Sequence, residues 1–116
     1  MMHNIEKIIS KNEIVGEELE FLLEERESNK IEFLLIDVRE EYEFQQKHIL
    51  GVDNLIPMSQ FFNKISEIEN KKDKLVVVQC KLGGRSSQAQ RQLKVMGFSK
   101  VINLAGGISE YKGKTS

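Results

Sequence analysis

Cys80 is the only cysteine of the 116-residue chain, and the residues around it favour a reactive thiolate. It follows an aliphatic run over residues 75–79 that is typical of a buried strand, and a helix is predicted over residues 86–96. Two glycines between them allow a short loop to curl until successive backbone N–H groups point into one concavity. The helix N-terminus and two cationic side chains add positive charge, so we expect the pKa of the thiol to lie below its ordinary value. This segment, named the Cys80 loop, comprises Lys81, Leu82, Gly83, Gly84, Arg85 and Ser86.

A structural role for the same cysteine is the alternative. A cysteine at the end of a valine-rich strand is often a small core residue, and paired glycines are common in plain turns. The combination of a strand end, a thiol, a glycine loop, an arginine and a helix start is much less common. It predicts a nucleophile whose sulfur is negatively charged and accessible, in a setting that also favours a bound sulfur-bearing anion.

The charges of the chain are distributed unevenly. Residues 1–74 contain 10 basic and 17 acidic side chains, whereas residues 75–109 contain five basic side chains and no acidic one. This distribution either arises by chance or provides an anion-friendly site beside the thiolate. The formal net charge is −1, and Phe98 is the only aromatic residue among these basic residues, so nucleic-acid binding is not expected.

Predicted strands and helices alternate along the chain. This order predicts an α/β fold with a mainly parallel central β-sheet flanked by helices on both faces, and ligands of such sheets bind beyond the carboxyl ends of the strands. Ser59 is the predicted N-cap of the helix over residues 59–69. The predicted strands cover residues 5–9, 33–38, 52–56, 75–79 and 100–104, and the predicted helices cover residues 17–26, 40–47, 59–69 and 86–96.

Length and composition indicate one globular domain over residues 1–116, with residues 1–4 and 112–116 expected to fray. A hydrophobic fraction of 40%, a charged fraction of 30% and a single proline exclude a disordered or collagen-like chain. No apolar run approaches the roughly 20 residues that span a bilayer, so no membrane contact is expected. The lone cysteine and the lack of a secretory-signal pattern predict a cytoplasmic protein.

Four stretches, in order along the chain, resemble the rhodanese-like sulfurtransferases. The Cys80 segment resembles that family's active-site loop, C-x-x-G-x-R-S, although Leu82 stands where a small or polar residue is common and is expected to make the pocket mouth more apolar or narrower. Tyr111 stands where tryptophan often follows the last motif. The other matching stretches are Asp37-Val38-Arg39, His48-Ile49-Leu50-Gly51-Val52 with the following residues 54–57, and Leu104-Ala105-Gly106-Gly107.

The resemblance implies a two-step sulfur transfer. The Cys80 thiolate attacks the outer sulfur of a small anionic donor such as thiosulfate, and a persulfide remains on the cysteine after sulfite leaves. The persulfide then passes to a thiol, to cyanide or to a partner protein, and this acceptor must be external because the chain has no second cysteine. The resemblance implies that residues 81–86 bind the sulfur and that neither a metal nor an organic cofactor is required. A single small domain of this type is expected to work as a monomer or weak dimer.

Two other functions are alternatives to sulfur transfer. Related modules bind or regulate without turnover, but such modules often lack the cysteine. Cysteine-dependent phosphatases use the longer spacing C-x5-R, whereas Cys80 and Arg85 are spaced C-x4-R, which argues against a phosphatase or an arsenate reductase. Gln79 also precedes the cysteine where many of those phosphatases have histidine.

Three further residues have more modest expected roles. Asp37 either orients the loop and accepts backbone N–H bonds or simply begins a turn. Arg39 is expected to pair with a carboxylate such as that of Glu43 rather than to touch the substrate. His48 is expected to be structural, because a thiolate that the loop already stabilises needs no base.

Overall fold

The computed structural model describes residues 3–116 and contains one five-stranded sheet in the order β1-β5-β4-β2-β3. All four strand pairings are parallel. The strands are β1 (Glu13–Ile14), β2 (Leu34–Asp37), β3 (Asn54–Leu55), β4 (Leu75–Gln79) and β5 (Lys100–Leu104). The predicted α/β class with a mainly parallel sheet is therefore confirmed.

Helices cover both faces of the sheet and enclose two apolar clusters. One cluster lies beneath α4 (Phe61–Lys64) and α5 (Gly84–Val95) and includes Phe61, Ile68 and Leu93. The other lies beneath α1 (Ile5–Ile9) and α2 (Gly16–Glu27) and includes Ile8 and Leu19. The helices are α1 (Ile5–Ile9), α2 (Gly16–Glu27), α3 (Glu41–Gln46), α4 (Phe61–Lys64) and α5 (Gly84–Val95), with short 3₁₀ turns at Met58–Gln60, Ile65–Lys71 and Ile108–Glu110.

Strand β4 is the central strand and carries the cysteine to the carboxyl edge of the sheet. Val76 and Val78 pack into the cluster under α5, whereas Val77 packs into the cluster on the opposite face. All three side chains are fully buried, which explains why the strand reads as a continuous apolar run. Because side chains alternate along a strand, Cys80 emerges on the same face as Val76 and Val78.

The prediction of an edge strand over residues 5–9 is wrong, because these residues form α1. The Asn4 side chain accepts a hydrogen bond from the Lys7 N–H at 3.1 Å and caps the helix. The spacing of Ile5, Ile8 and Ile9 fits a helix face, and Ile8 is the buried residue of the helix. The edge strand is instead the two-residue β1, which the sequence analysis missed.

The single helix predicted over residues 59–69 is broken into α4 and two flanking 3₁₀ turns. Its expected apolar face is nevertheless inward, because Phe61, Ile65 and Ile68 are all buried. Ser59 does not cap the helix. Its hydroxyl donates to Glu40 Oε1 at 2.6 Å and so connects this segment to the residue that precedes α3.

The carboxyl-terminal residues differ from the predicted fraying of residues 112–116. Thr115 forms an antiparallel bridge with Ile49, and His48 and Ser116 exchange two backbone hydrogen bonds. At the other terminus, Met1 and Met2 of the predicted frayed residues 1–4 lie outside the described residues. Over residues 3–116, no helix is both long and apolar enough to cross a membrane.

Candidate active site

The Cys80 loop directs three hydrogen-bond donors at the cysteine sulfur. The Gly83 N–H donates to Sγ at 3.1 Å, the Ser86 N–H at 3.4 Å and the Ser86 hydroxyl at 3.3 Å. Gly83 adopts a left-handed conformation with a φ of 113°, and helix α5 begins at Gly84, two residues earlier than predicted. The glycine turn and the first turn of α5 thus surround the cysteine sulfur with hydrogen-bond donors.

The pKa of the Cys80 thiol is lowered from its ordinary value of 9.0. Burial is the largest single influence and raises the pKa. The Ser86 hydroxyl and the N–H groups of Ser86 and Gly83 lower the pKa, the nearby N–H of Leu82 adds a smaller effect, and together these groups outweigh burial. The loop consequently favours the thiolate.

The prediction that the sulfur is accessible is not met in this structure. Cys80 is 1% exposed and packs with Val76, Val78 and Ala89 in the cluster under α5. The physical reason is that the cysteine continues the inward face of β4. The sulfur lies directly beneath the loop, however, and Leu82 above it is 69% exposed.

Arg85 binds a carboxylate from another helix rather than the cysteine sulfur. Its Nη1 and Nη2 lie 2.7 Å and 3.0 Å from the two carboxylate oxygens of Glu43 in α3. The pair joins the first turn of α5 to α3 across 42 residues of sequence. The side-chain hydrogen bond with Arg85 is the largest influence on Glu43, whose pKa is lowered from 4.5 to about 2.

The ion pair between Arg85 and Glu43 stabilises the fold in a way that depends on pH. The pKa of Glu43 is lower in the folded protein, so its contribution is complete above about pH 4.5 and is lost as the pH falls towards 2. We expect Glu43→Gln to lower the free energy of unfolding at pH 7 and to have little effect near pH 2. Urea unfolding across this range measures the difference, with Glu69→Gln, at an exposed carboxylate, as the control. A difference between wild type and Glu43→Gln that stays constant with pH would contradict this role.

Asp37 and Arg39 form a buried pair beside the cysteine strand. Arg39 pairs with a carboxylate, as expected, but the partner is Asp37 rather than Glu43: Arg39 Nη2 lies 2.8 Å from Asp37 Oδ2, and the Glu43 carboxylate binds Arg85. The two-residue spacing after β2 places the guanidinium directly over Asp37. Asp37 also accepts the Arg39 backbone N–H at 2.9 Å, a contact that both of its predicted roles allow, because a carboxylate that accepts from the second residue after it also begins a turn. Arg39 Nη2 further donates to the Lys47 carbonyl at 2.7 Å, so the pair holds the end of α3.

The residues after β5 make hydrogen bonds with the backbone of the cysteine segment. The Ile108 N–H donates to the Cys80 carbonyl at 2.9 Å, and the Ser109 N–H donates to the Lys81 carbonyl at 3.0 Å. A Cβ on Gly107 would lie 2.4 Å from both of these carbonyl oxygens. Gly107 of the sequence motif thus permits direct backbone contact with the cysteine segment, a role that the motif alone does not indicate.

A cavity of about 390 Å³ opens beside the loop. Its lining includes Lys81 and Lys47, and neither lysine is in an ion pair within residues 3–116.

His48 stacks on Phe44 with the ring centroids 4.0 Å apart, in agreement with its expected structural role. Over residues 3–116, no three His, Cys, Asp or Glu side chains are placed to share a metal ion.

Comparisons with known proteins agree with this architecture. The family model described as "Rhodanese-like domain" matches residues 18–114. The chain is 37% identical over 75 residues to the thiosulfate sulfurtransferase PspE of Escherichia coli, covering 65% of this chain and 70% of that protein. It is 38% identical over 81 residues to the putative sulfur carrier protein YrkF of Bacillus subtilis, covering 70% of this chain.

The shared region differs in extent between relatives. The chain spans 42% of YrkF and about three fifths of two other bacterial relatives. Among solved structures, a rhodanese-like domain protein from Staphylococcus aureus superimposes with a TM-score of 0.76 over 90% of this chain and 94% of that one. At 23% identity this similarity concerns the fold alone. The family match over nearly the whole sequence, together with the parallel sheet and the cysteine loop, shows that the chain belongs to the rhodanese-like domain family.

Proposed function

We propose that the chain is a sulfurtransferase that carries sulfane sulfur as a persulfide on Cys80. The observation that carries this proposal is the convergence of the Gly83 N–H, the Ser86 N–H and the Ser86 hydroxyl on one cysteine sulfur. Such donors stabilise a negatively charged sulfur, and hydrogen bonds to charged groups contribute roughly 1.5–3 kcal/mol each. The sulfurtransferase and sulfur-carrier names of the relatives support the same assignment.

The proposed reaction has two steps. The Cys80 thiolate attacks the outer sulfur of thiosulfate, a new S–S bond forms, and the bond to the central sulfur breaks as sulfite leaves with the electron pair. A nucleophilic acceptor then attacks the outer persulfide sulfur, takes that sulfur and returns the thiolate. With cyanide as the acceptor the product is thiocyanate. The two steps need no external oxidant or reductant and no second cysteine.

Access to the sulfur requires movement of the loop. Cys80 is 1% exposed, so an in-line donor cannot reach Sγ in the resting arrangement. Lys81, Leu82 and Gly84 are exposed. We infer that outward displacement of these residues uncovers the sulfur, while the Arg85–Glu43 pair keeps the base of the loop in place.

The assay for this function is sulfur transfer from thiosulfate to cyanide. We expect thiocyanate to form with the protein alone, without added metal or cofactor. The shorter C-x4-R spacing gives a cradle suited to a sulfur atom rather than to a tetrahedral phosphate. Hydrolysis of an aryl phosphate without sulfur transfer would overturn the assignment in favour of a phosphatase.

Lys81 is expected to attract the anionic donor. It lies next to the cysteine, lines the adjoining cavity and has no ion-pair partner within the described part of the chain. We expect Lys81→Gln to raise the KM for thiosulfate by about threefold with little change in kcat, because a charge near the surface contributes up to about 1 kcal/mol. Steady-state kinetics at low and at high salt measure the effect, which should shrink as salt rises.

The matched control for this charge is Lys94→Gln. Lys94 is an exposed lysine in the last turn of α5, away from the loop. An equal rise in KM in both variants would mean that overall charge, rather than Lys81, attracts the donor. An unchanged KM in Lys81→Gln would remove Lys81 from the donor site.

A binding module without turnover is the second candidate, and the burial of Cys80 favours it. Such a module would keep the fold and the loop but would not load sulfur from a small donor. The two functions differ in one observable: only the transferase acquires a sulfur atom from thiosulfate. Failure to load sulfur under conditions in which Cys80 reacts with a small alkylating reagent would favour the module.

A further inference from the structure

The buried amide of Asn103 connects the Cys80 loop to the sheet. Asn103 lies in β5 and is 1% exposed. Its Nδ2 donates to the Gly83 carbonyl at 3.3 Å and to Glu13 Oε2 at 3.1 Å. Val101, two residues earlier on β5, packs into the same cluster as Cys80, so the alternation of the strand places Asn103 on the cysteine face of the sheet.

Gly83 is the loop residue that both accepts from Asn103 and donates to the cysteine sulfur. Its N–H makes the shortest of the three hydrogen bonds to Sγ, and its left-handed φ of 113° gives the turn its direction. Its carbonyl accepts from the Ser87 N–H at 3.0 Å, from the Ser86 hydroxyl at 3.2 Å and from Asn103. Asn103 is the only one of these three donors that lies outside the loop and α5.

The orientation of the Asn103 amide is fixed by its surroundings. Both of its neighbours, the Gly83 carbonyl and the Glu13 carboxylate, are acceptors, so only the NH₂ group can serve them. Its Oδ1 is left buried without a hydrogen-bond partner, which is unfavourable. A fully buried asparagine with one unsatisfied atom, in a strand otherwise built from aliphatic residues at its inward positions, is poorly explained by packing alone.

We propose that Asn103 is a positioning residue that fixes Gly83 so that its N–H points at the cysteine sulfur, with Glu13 orienting the amide. This inference concerns the geometry of the Cys80 loop. It rests on the proposed function only in taking the binding of sulfur as the purpose of that geometry. The order of contacts is Glu13 carboxylate, Asn103 amide, Gly83 carbonyl, and then the Gly83 N–H to Sγ. Without the amide, the glycine turn is held to the sheet through fewer contacts and the N–H loses its fixed direction.

The test is an ultraviolet titration of the thiolate in Asn103→Leu. Cys80 is the only cysteine, so the pH-dependent thiolate absorbance after subtraction of a Cys80→Ser blank reports this sulfur alone. Leucine keeps the approximate volume and removes the donor. We expect the midpoint to rise by roughly half a pH unit or more, which is about a threefold loss of thiolate below the midpoint.

Gln90→Leu is the matched control. Gln90 is a buried amide on α5 whose Nε2 donates to the carbonyls of Val101 and Asn12, and none of these contacts involves the Cys80 loop. Both leucine variants are expected to lose stability, and only Asn103→Leu is expected to shift the titration midpoint. Equal midpoints in wild type and Asn103→Leu, or equal shifts in the two leucine variants, would overturn the proposal.

A second variant covers the case in which Asn103→Leu does not fold. Glu13 is exposed, so Glu13→Ala leaves the core unchanged and removes only the group that orients the amide. We expect a smaller shift in the same direction, and the absence of any shift would contradict the role of Glu13. The readout is independent of sulfur transfer. A protein that transfers no sulfur but shows the Asn103 shift would refute the proposed function and support this inference.

Discussion

Replacement of Cys80 by serine is expected to abolish sulfur transfer. The variant keeps a small buried side chain under α5, so the fold should remain, whereas a hydroxyl neither ionises near neutral pH nor forms a persulfide. We expect a loss of about a thousandfold or more in kcat/KM for thiosulfate, in the range typical of a deleted nucleophile. Steady-state thiocyanate formation measures this, with circular dichroism to confirm folding.

The chain offers no other thiol, so no second residue of the same chemistry can take over the transfer. A folded Cys80→Ser protein with more than a small fraction of wild-type activity would show that the sulfur atom is not the carrier. The hydrogen bonds to Sγ would then have a structural purpose only.

Replacement of Gly107 by alanine is expected to disrupt both stability and activity. The new Cβ would lie 2.4 Å from the carbonyl oxygens of Cys80 and Lys81, and these backbone atoms cannot move aside without moving the cysteine. The φ of 56° adds strain for any residue with a side chain. We expect a loss of about 3 kcal/mol or more in the free energy of unfolding, from overpacking and left-handed strain together. In the fraction that remains folded, we expect kcat/KM to fall by about a hundredfold, because the sulfur is displaced.

The variant Gly97→Ala separates the strain of a positive φ from the close contact of the new Cβ. Gly97 also has a positive φ, of 98°, but a Cβ there meets its nearest neighbour, Lys72 Cδ, only at 3.8 Å. It should therefore cost about 1–2 kcal/mol through strain alone and leave kcat unchanged. Urea unfolding and sulfur-transfer kinetics on both variants give the comparison. Equal losses of stability and normal activity in both would show that Gly107 does not position the cysteine.

The sheet was largely predictable because its strands carry strong local patterns. The apolar run of β4 reads directly as a strand buried on both faces, and the alternation of strands with helices implies the parallel arrangement. The wrong and missing predictions concern segments whose local sequence pattern is weak. Residues 5–9 contain three isoleucines that satisfy either a strand or a helix, and the choice is made by the Asn4 cap and by the cluster under α2. Strand β1 has only two residues and exists because β5 is beside it.

The contacts of the site were less predictable than its composition. The loop donors followed from the glycine turn and the helix start, but the partner of Arg85 lies 42 residues away in α3 and no local signal identifies it. The contacts of Gly107 with Cys80 and Lys81 likewise depend on how β5 returns beside β4. The burial of the sulfur follows from the face of β4 on which residue 80 falls. Asn103 alone left a local signal, as a polar residue at an inward position of an aliphatic strand.

The intact mass of the protein after incubation with thiosulfate shows most directly whether Cys80 carries the transferred sulfur. We expect a gain of about 32 Da, one sulfur atom, that is absent in Cys80→Ser and is removed by cyanide as thiocyanate forms. Wild-type protein that gains no sulfur, although its Cys80 thiol reacts with a small alkylating reagent, would show that Cys80 is not a sulfur carrier.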